Sequence, residues 1–376
     1  MKQKPIYLDY NATTHIDLEV IDAMIPFLKE HFGNPSSSHY FGQKAKEAVE
    51  KARGQVADFL NCNSNEIIFT SGGTESNNYA IKGLAFALRN KGNHIITTQI
   101  EHPSVLESCK FLNLKGFEIT YLPVDETGLV NIYDVEKAIK RSTILITIMH
   151  SNNETGSIQP IEKISKLAKK HDIIFHTDAV QSAGKIPVGI DKLGVDLLSI
   201  AGHKIYAPKG IGALYIKQGI NLEKLIHGAG QENNKRAGTE NVLEIVGLGM
   251  ACEIAGRDFN KNVANMKLTR DRLYDRLKKE INDIKLNCDL KNCLPNTLNI
   301  SFKGIDSNKL IDKIKNQVAV SSGAACHSGK TETSYVLKAL NVPIEWAKGT
   351  LRFSTGKTTT IDEIEYAVDI IIKNIS

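Results

Sequence analysis

The sequence predicts an α/β protein: a large domain with a mostly parallel seven-stranded sheet flanked by helices, followed by a smaller α+β domain. Three observations carry that expectation. From Glu66 to Ile216 the chain alternates short apolar runs with longer amphipathic stretches, the pattern of strand–helix units that build a parallel sheet. The apolar runs are rich in isoleucine, as strands covered on both faces should be. After about Glu240 the alternation stops, and at 376 residues the chain exceeds what one hydrophobic core usually supports.

Taken in order, the expected strands of the large sheet are Ile67–Thr70, His94–Thr98, Ile119–Leu122, Ile144–Ile148, Ile173–His176, Leu197–Ile200 and Gly212–Ile216. Helical patterns fall between them at Glu75–Arg89, Ile132–Lys140 and Ile161–Lys170. A long amphipathic helix follows over Val242–Ala255 and, after a break, Asn260–Asn282. The C-terminal part then reads as strand Asn299–Phe302, helix Ser307–Lys315, strand Val318–Val320, helix Ser334–Leu340, strand Thr350–Phe353 and helix Ile361–Ile375. The expected division is a large domain over 16–255 and a small domain over 256–376. The first segment, residues 1–15 and onward to about Phe32, is expected to pack on the small domain.

Composition excludes several function classes. Net charge is +5 from 47 basic and 42 acidic residues, interspersed along the chain, so no basic patch or tail argues for direct nucleic-acid binding. No run is long and apolar enough to span a membrane, and the N-terminus has no signal-like apolar core, so the cytoplasm is the expected location. The six cysteines form no Cys-x-x-Cys pair and no cluster with zinc spacing. Five read as ordinary small residues; Cys326 is set apart by its surroundings.

His176-Thr-Asp178-Ala-Val-Gln181 and Ala201-Gly-His203-Lys204 each close an apolar run. If those strands are parallel neighbours, Asp178 and Lys204 emerge at the carboxyl edge, where open α/β sheets bind ligands. A lysine and a carboxylate there suit pyridoxal phosphate, which needs an amine to condense with its aldehyde and an acid beside its pyridine nitrogen. An ordinary Asp–Lys surface pair fits the same two residues. Ser71-Gly-Gly73-Thr74-Glu-Ser76 opens a helix after a strand, a place for a phosphate or simply a capped turn. It is neither a dinucleotide fingerprint nor a P-loop. His102 and Asn153 follow two further strands. An imidazole there could stack on an aromatic ring and move protons, and an amide could donate to a phenolate. Singly each also reads as a loop residue. Jointly, five consecutive strand ends would deliver Thr74, His102, Asn153, Asp178 with Gln181, and His203 with Lys204. Ser321-Ser-Gly-Ala-Ala-Cys326-His-Ser-Gly329 is a run of small and polar residues that favours a mobile loop. A cysteine there reads as a free surface thiol or as a nucleophile, of which only about a few per cent is thiolate at pH 7 without help. Arg352 closes a strand of the small domain and suits a carboxylate, or a surface salt bridge.

Together, Leu8-Asp-Tyr-Asn11-Ala-Thr-Thr14, Phe32-Gly-Asn-Pro35, Thr70-Ser-Gly-Gly-Thr-Glu-Ser-Asn77, Glu101-His102, Asn152-Asn-Glu-Thr-Gly156, Asp178-Ala-Val-Gln181 and Gly202-His-Lys204 resemble the cysteine desulfurases of the NifS/IscS group. These are fold-type I pyridoxal phosphate enzymes of the class V aminotransferase superfamily. The resemblance implies Lys204 as the lysine bonded to the cofactor, Asp178 on its pyridine nitrogen, His102 over its ring, and Asn153 with Gln181 near its phenolic oxygen. It implies phosphate contacts from Gly73, Thr74 and His203, and from Thr239 of the second subunit of a homodimer. Arg352, with Asn11 assisting, would hold the substrate carboxylate. Cys326 matches the family's nucleophile in its long-loop form and would take sulfur from L-cysteine as a persulfide, leaving L-alanine, before passing it to an acceptor protein. Ala201 stands where many relatives carry a phosphate-contacting serine. That departure, Gly323-Ala-Ala-Cys-His-Ser328 and Gly238-Thr-Glu-Asn241 also resemble selenocysteine lyase, the alternative reading. A plain aminotransferase would leave Cys326 idle, and a non-catalytic relative would be expected to lack Lys204 or Cys326.

Overall fold

The computed structural model describes residues 4–327 and 330–375, with backbone alone for 324–327 and 330–332. Strand β1 is Ile6–Tyr7. The large sheet is built from β2 (Ile67–Thr70), β3 (His94–Thr98), β4 (Glu118–Leu122), β5 (Thr143–Thr147), β6 (Ile174–Asp178), β7 (Leu197–Ala201) and β8 (Gly212–Ile216). Its order is β2-β8-β7-β6-β5-β3-β4. All neighbours are parallel except β8, which runs antiparallel to both β2 and β7. Ile95, Ile96, Leu145, Ile146, Leu197 and Leu198 are fully buried, which is why these strands read as continuous apolar runs instead of alternating ones.

Two helices precede this sheet without having been expected. Leu18–Lys29 is capped by Asp17, and Tyr40–Leu60 by His39, with Asn61 in the left-handed conformation at its C-terminus. Ala45, Val49, Ala52, Val56 and Leu60 form the buried stripe of the second helix, spaced three or four residues apart as a helix face requires. It packs against Val242–Arg257. A Cβ on Gly249 would lie 2.7 Å from the Ala52 Cβ, so glycine there lets the two helices approach.

The C-terminal part contains β9 (Ile284–Leu286), β10 (Thr297–Phe302), β11 (Val318–Ala319), β12 (Ser321–Ser322), β13 (Ala324–His327), β14 (Lys330–Thr333) and β15 (Thr350–Ser354). Strands β12-β15-β10-β9 form an antiparallel sheet. It is covered by Ile364, Val368 and Ile371 of helix Ile361–Ile375 and by Leu273 and Leu277 of helix Phe259–Glu280. Strand β1 pairs with β11, and Ile6 and Leu8 join this second core. Val20 and Met24 belong to the main core instead. The expectation that everything up to Phe32 packs on the small domain is therefore corrected: the apolar stripe of Leu18–Lys29 faces Val242–Arg257. A second difference concerns the backbone around Cys326. Strands β13 and β14 pair as an antiparallel hairpin with Cys326 opposite Thr331, where a loop was expected. The return strand carries Thr331 and Thr333, β-branched residues that favour extended pairing.

His176 sits inside the large sheet, with Nδ1 2.8 Å from Thr147 Oγ1 and Nε2 3.0 Å from Ser199 Oγ. Burial pushes its pKa down to about 3, and that of buried His150 to about 4. Unfolded histidine titrates near 6.5, so below that pH the unfolded chain binds more protons than the folded one. Stability is then complete above about pH 6.5 and lost as pH falls toward 4. The urea midpoint, followed by circular dichroism, is expected to drop steadily between pH 6.5 and 4; a flat midpoint would contradict the neutral buried histidines.

Candidate active site

A cleft of about 430 Å³ opens at the carboxyl edge of the large sheet, within the range typical of small-molecule sites. Asn11, Gly73, Thr74, His102, Asn153, Asp178, Gln181, His203, Lys204 and Arg352 all line it. Asp178 ends β6 and Lys204 follows β7, its parallel neighbour. The strand ends are not five in a row, because β8 separates β2, which leads to Thr74, from the adjacent set β7, β6, β5 and β3.

Each polar group has a defined setting. The Asp178 carboxylate is buried and accepts from Asn77 Nδ2 at 2.6 Å and from the Val180 N–H at 2.9 Å. Lys204 Nζ donates to the main-chain carbonyls of Asn11 (2.6 Å) and Ala12 (2.8 Å). Burial, then the Arg352 charge, lowers its pKa to about 8, against weaker upward pulls from Asp9 and Asp178. Burial and the Lys204, Lys209, Lys185 and His102 charges lower that of His203 to about 4. His102 is exposed to the cleft, and desolvation holds its pKa below the usual imidazole value, Asp178 raising it and Lys204 lowering it. A Cβ on Gly73 would meet Val180 Cγ2 at 2.7 Å, so the helix opening there lies hard against the turn after β6.

Arg352 is more than a surface salt bridge. Its Nη2 donates to Asp9 Oδ1 (2.7 Å) and Ser321 Oγ (2.9 Å), and Nη1 donates to the Asn153 carbonyl (3.0 Å). The Asn11 side chain is engaged on both sides: Nδ2 donates to Thr297 Oγ1 and Oδ1 accepts from Asn296 Nδ2. Thr239 lies apart, exposed on a neighbouring pocket with Arg236 and Gly210. Arg236 joins that segment to Glu75 by an ion pair. The side chain of Cys326 lies outside the described residues.

Sequence reasoning missed four supporting residues: Asn77, Ser104, Asp9 and Ser321. Asn77 stands one helical turn after Thr74 in a motif already singled out, and that spacing is the signal that could have found it. Ser104, two residues after His102, lies 2.9 Å from both Asn77 Nδ2 and His102 Nδ1. Cys288 and Cys293, read as ordinary residues, are buried with their sulfurs 3.4 Å apart.

The arrangement fits pyridoxal phosphate. It offers an amine and a carboxylate at one sheet edge, a glycine-lined turn, and two amide oxygens, Asn153 Oδ1 and Gln181 Oε1, that are buried without a hydrogen-bond partner among the described residues. Such acceptors cost free energy unless a hydrogen-bond donor, from a bound ligand or solvent, meets them. Among the described residues no cluster of side chains could hold a metal ion, and no helix is long and apolar enough to cross a membrane.

Comparison with known proteins gives the same picture. The family model described as aminotransferase class-V matches residues 6–367. A protein named cysteine desulfurase IscS from Dictyoglomus turgidum is 53% identical over 370 residues, 98% of this chain and 94% of the relative. Its namesake from Clostridium botulinum is 46% identical, again over 98% and 94%. A solved structure named NifS-like protein superposes with a TM-score of 0.93 at 39% identity, covering 99% of each chain. One described as SspA in complex with cysteine gives 0.83 at 38% identity, over 95% of this chain and 100% of that one.

Asn77→Ala should strip Asp178 and Ser104 of a donor each. The expected loss of unfolding free energy is about 1–3 kcal/mol, measured by urea denaturation at pH 7; unchanged stability would show that these contacts are not maintained in solution.

Proposed function

Because this chain belongs to the class-V aminotransferase family, we propose that it is a pyridoxal phosphate-dependent cysteine desulfurase, converting L-cysteine to L-alanine and passing the sulfur through Cys326 to an acceptor. The observation that carries this reading is the placing of Asp178 and Lys204 at one edge of a cleft that Thr74, His102 and Arg352 also line. When bound, pyridoxal phosphate supplies an electron sink that lets bonds at the amino acid's Cα and Cβ break.

In this reading Lys204 would hold the cofactor through its amine and Asp178 would keep the pyridine nitrogen protonated, a charged hydrogen bond of the kind that contributes about 1.5–3 kcal/mol. His102 would help hold the ring. The Asn153 and Gln181 amides would offer N–H donors to its phenolic oxygen, Gln181 Nε2 using the hydrogen not committed to the Asn11 carbonyl. Gly73, Thr74 and His203 would hold the phosphate, with Thr239 of a second copy of the chain contributing in a homodimer. The lowered pKa of Lys204 suits an amine that takes up and returns the Cα proton at Nζ near neutral pH. Arg352 binds the substrate carboxylate, and Asn11 supports it by anchoring the cleft wall. The Cys326 thiolate attacks the substrate sulfur; the S–S bond forms as the C–S bond breaks, and the electron pair left on carbon is protonated to give alanine.

The persulfide then goes to a scaffold or sulfur-carrier protein, supplying iron–sulfur cluster assembly in the cytoplasm. Relatives named cysteine desulfurase along nearly the whole chain favour cysteine over selenocysteine, despite Ala201.

Purified protein should absorb near the visible–ultraviolet boundary, and Lys204→Ala should remove that band. Cys326→Ser should keep the band yet release no sulfide from cysteine in the presence of a thiol reductant. Full sulfide release by that variant would overturn the persulfide step.

A further inference from the structure

Four side chains link the base of the cleft to its imidazole. The Asp178 carboxylate accepts at 2.6 Å from Asn77 Nδ2, which fixes how the Asn77 amide is turned. The same nitrogen donates its second hydrogen to Ser104 Oγ at 2.9 Å. Ser104 Oγ lies 2.9 Å from His102 Nδ1, and with Asn77 donating to it the hydroxyl hydrogen is free to turn toward that nitrogen. The main-chain N–H of Ser104 also points at Nδ1, at 3.2 Å, where His102 caps helix Pro103–Leu114. Nδ1 thus receives two donors and has no room for a hydrogen of its own. In the neutral ring the remaining hydrogen sits on Nε2, which has no partner among the described residues in a side chain exposed to the cleft.

We propose that the chain Asp178–Asn77–Ser104–His102 fixes the tautomer of His102, so that the imidazole meets cofactor and substrate as an Nε2–H hydrogen-bond donor. Ser104 and Asn77 are positioning residues in this account, acting through His102. A neutral imidazole held this way polarises or stabilises a group with developing negative charge, such as a substrate thiolate, and takes up no proton at Nε2. Proton uptake on the cleft side then falls to another group, and Lys204 Nζ lines the same cleft. The inference rests on the cofactor reading above for its meaning in catalysis, but the tautomer belongs to the protein itself.

The test is nitrogen NMR on full-length protein carrying ¹⁵N-histidine, with and without added pyridoxal phosphate, the His102 signals being assigned by their loss in His102→Gln. The expected wild-type spectrum has Nδ1 at the shift of a bare ring nitrogen and Nε2 at that of an N–H, with or without the cofactor. In Ser104→Ala both signals should move toward intermediate values as the tautomers mix, and Ser104→Thr, which keeps the hydroxyl, should restore the wild-type pattern. A hydrogen on Nδ1 in the wild type, or a Ser104→Ala spectrum identical to wild type, overturns the proposal. If Ser104→Ala does not fold, the wild-type tautomer alone decides. Loss of the cofactor reading would appear separately, as His102 signals that do not respond to pyridoxal phosphate at all.

Discussion

Strands β6 and β7 lie side by side and point the same way, with Asp178 opposite Ser199, and the site depends on that register. Because both chains leave the sheet at one edge, the turn after Asp178 and the turn bearing Lys204 open into the same space. An antiparallel pairing, such as β7 makes with β8, would have sent the two groups to opposite ends of the sheet. The register in turn fixes the N-terminal segment. The Asn11 carbonyl accepts from Lys204 Nζ and Gln181 Nε2, the Asn11 N–H donates to Ser354 Oγ, and its side chain meets Thr297 and Asn296. A few residues after β1 therefore tie the cleft to the small antiparallel sheet, and Arg352 is brought to the same wall through Asp9.

Around this edge the protein buries polar groups in states that limit their charge. Burial raises the pKa of Glu101 to about 8 while its carboxyl accepts from the Met149 N–H and Thr98 Oγ1. Burial, with a further push from Lys204, lowers that of Lys185 to about 7, its Nζ donating to the Gln181 carbonyl. His176 stays neutral between Thr147 and Ser199. An unpaired charge in such surroundings is costly, and a neutral network avoids that cost while holding the strand ends in place. The charges that remain line the open cleft, where a charged ligand can meet them.

Much of this was legible in the sequence because it is locally encoded. The strands of the large sheet announce themselves as isoleucine-rich runs, and the expected boundaries differ from those observed by no more than two residues; β6, for example, runs on to Asp178. Helix Tyr40–Leu60 was not expected although its Ala45-Val49-Ala52-Val56 stripe has helical spacing, because small alanine and valine side chains make that stripe a weak apolar signal. The position of β8 was not legible at all: strand order is set by how helices cover the sheet, and no residue of Gly212–Ile216 carries that information alone. Asn77 and Ser104 escaped for a similar reason. Their importance lies in contacts between a helix after β2, a turn after β3 and the end of β6, which only the assembled edge brings together.

The central claim is that Lys204, facing Asp178 across one sheet edge, carries the cofactor. Borohydride reduction of the purified protein, followed by digestion and mass spectrometry, locates the covalently held group most directly. The account requires one phosphopyridoxyl group per chain, on the peptide containing Lys204. Finding it on Lys185 or another lysine, or finding none on a protein that is nonetheless active, would contradict it.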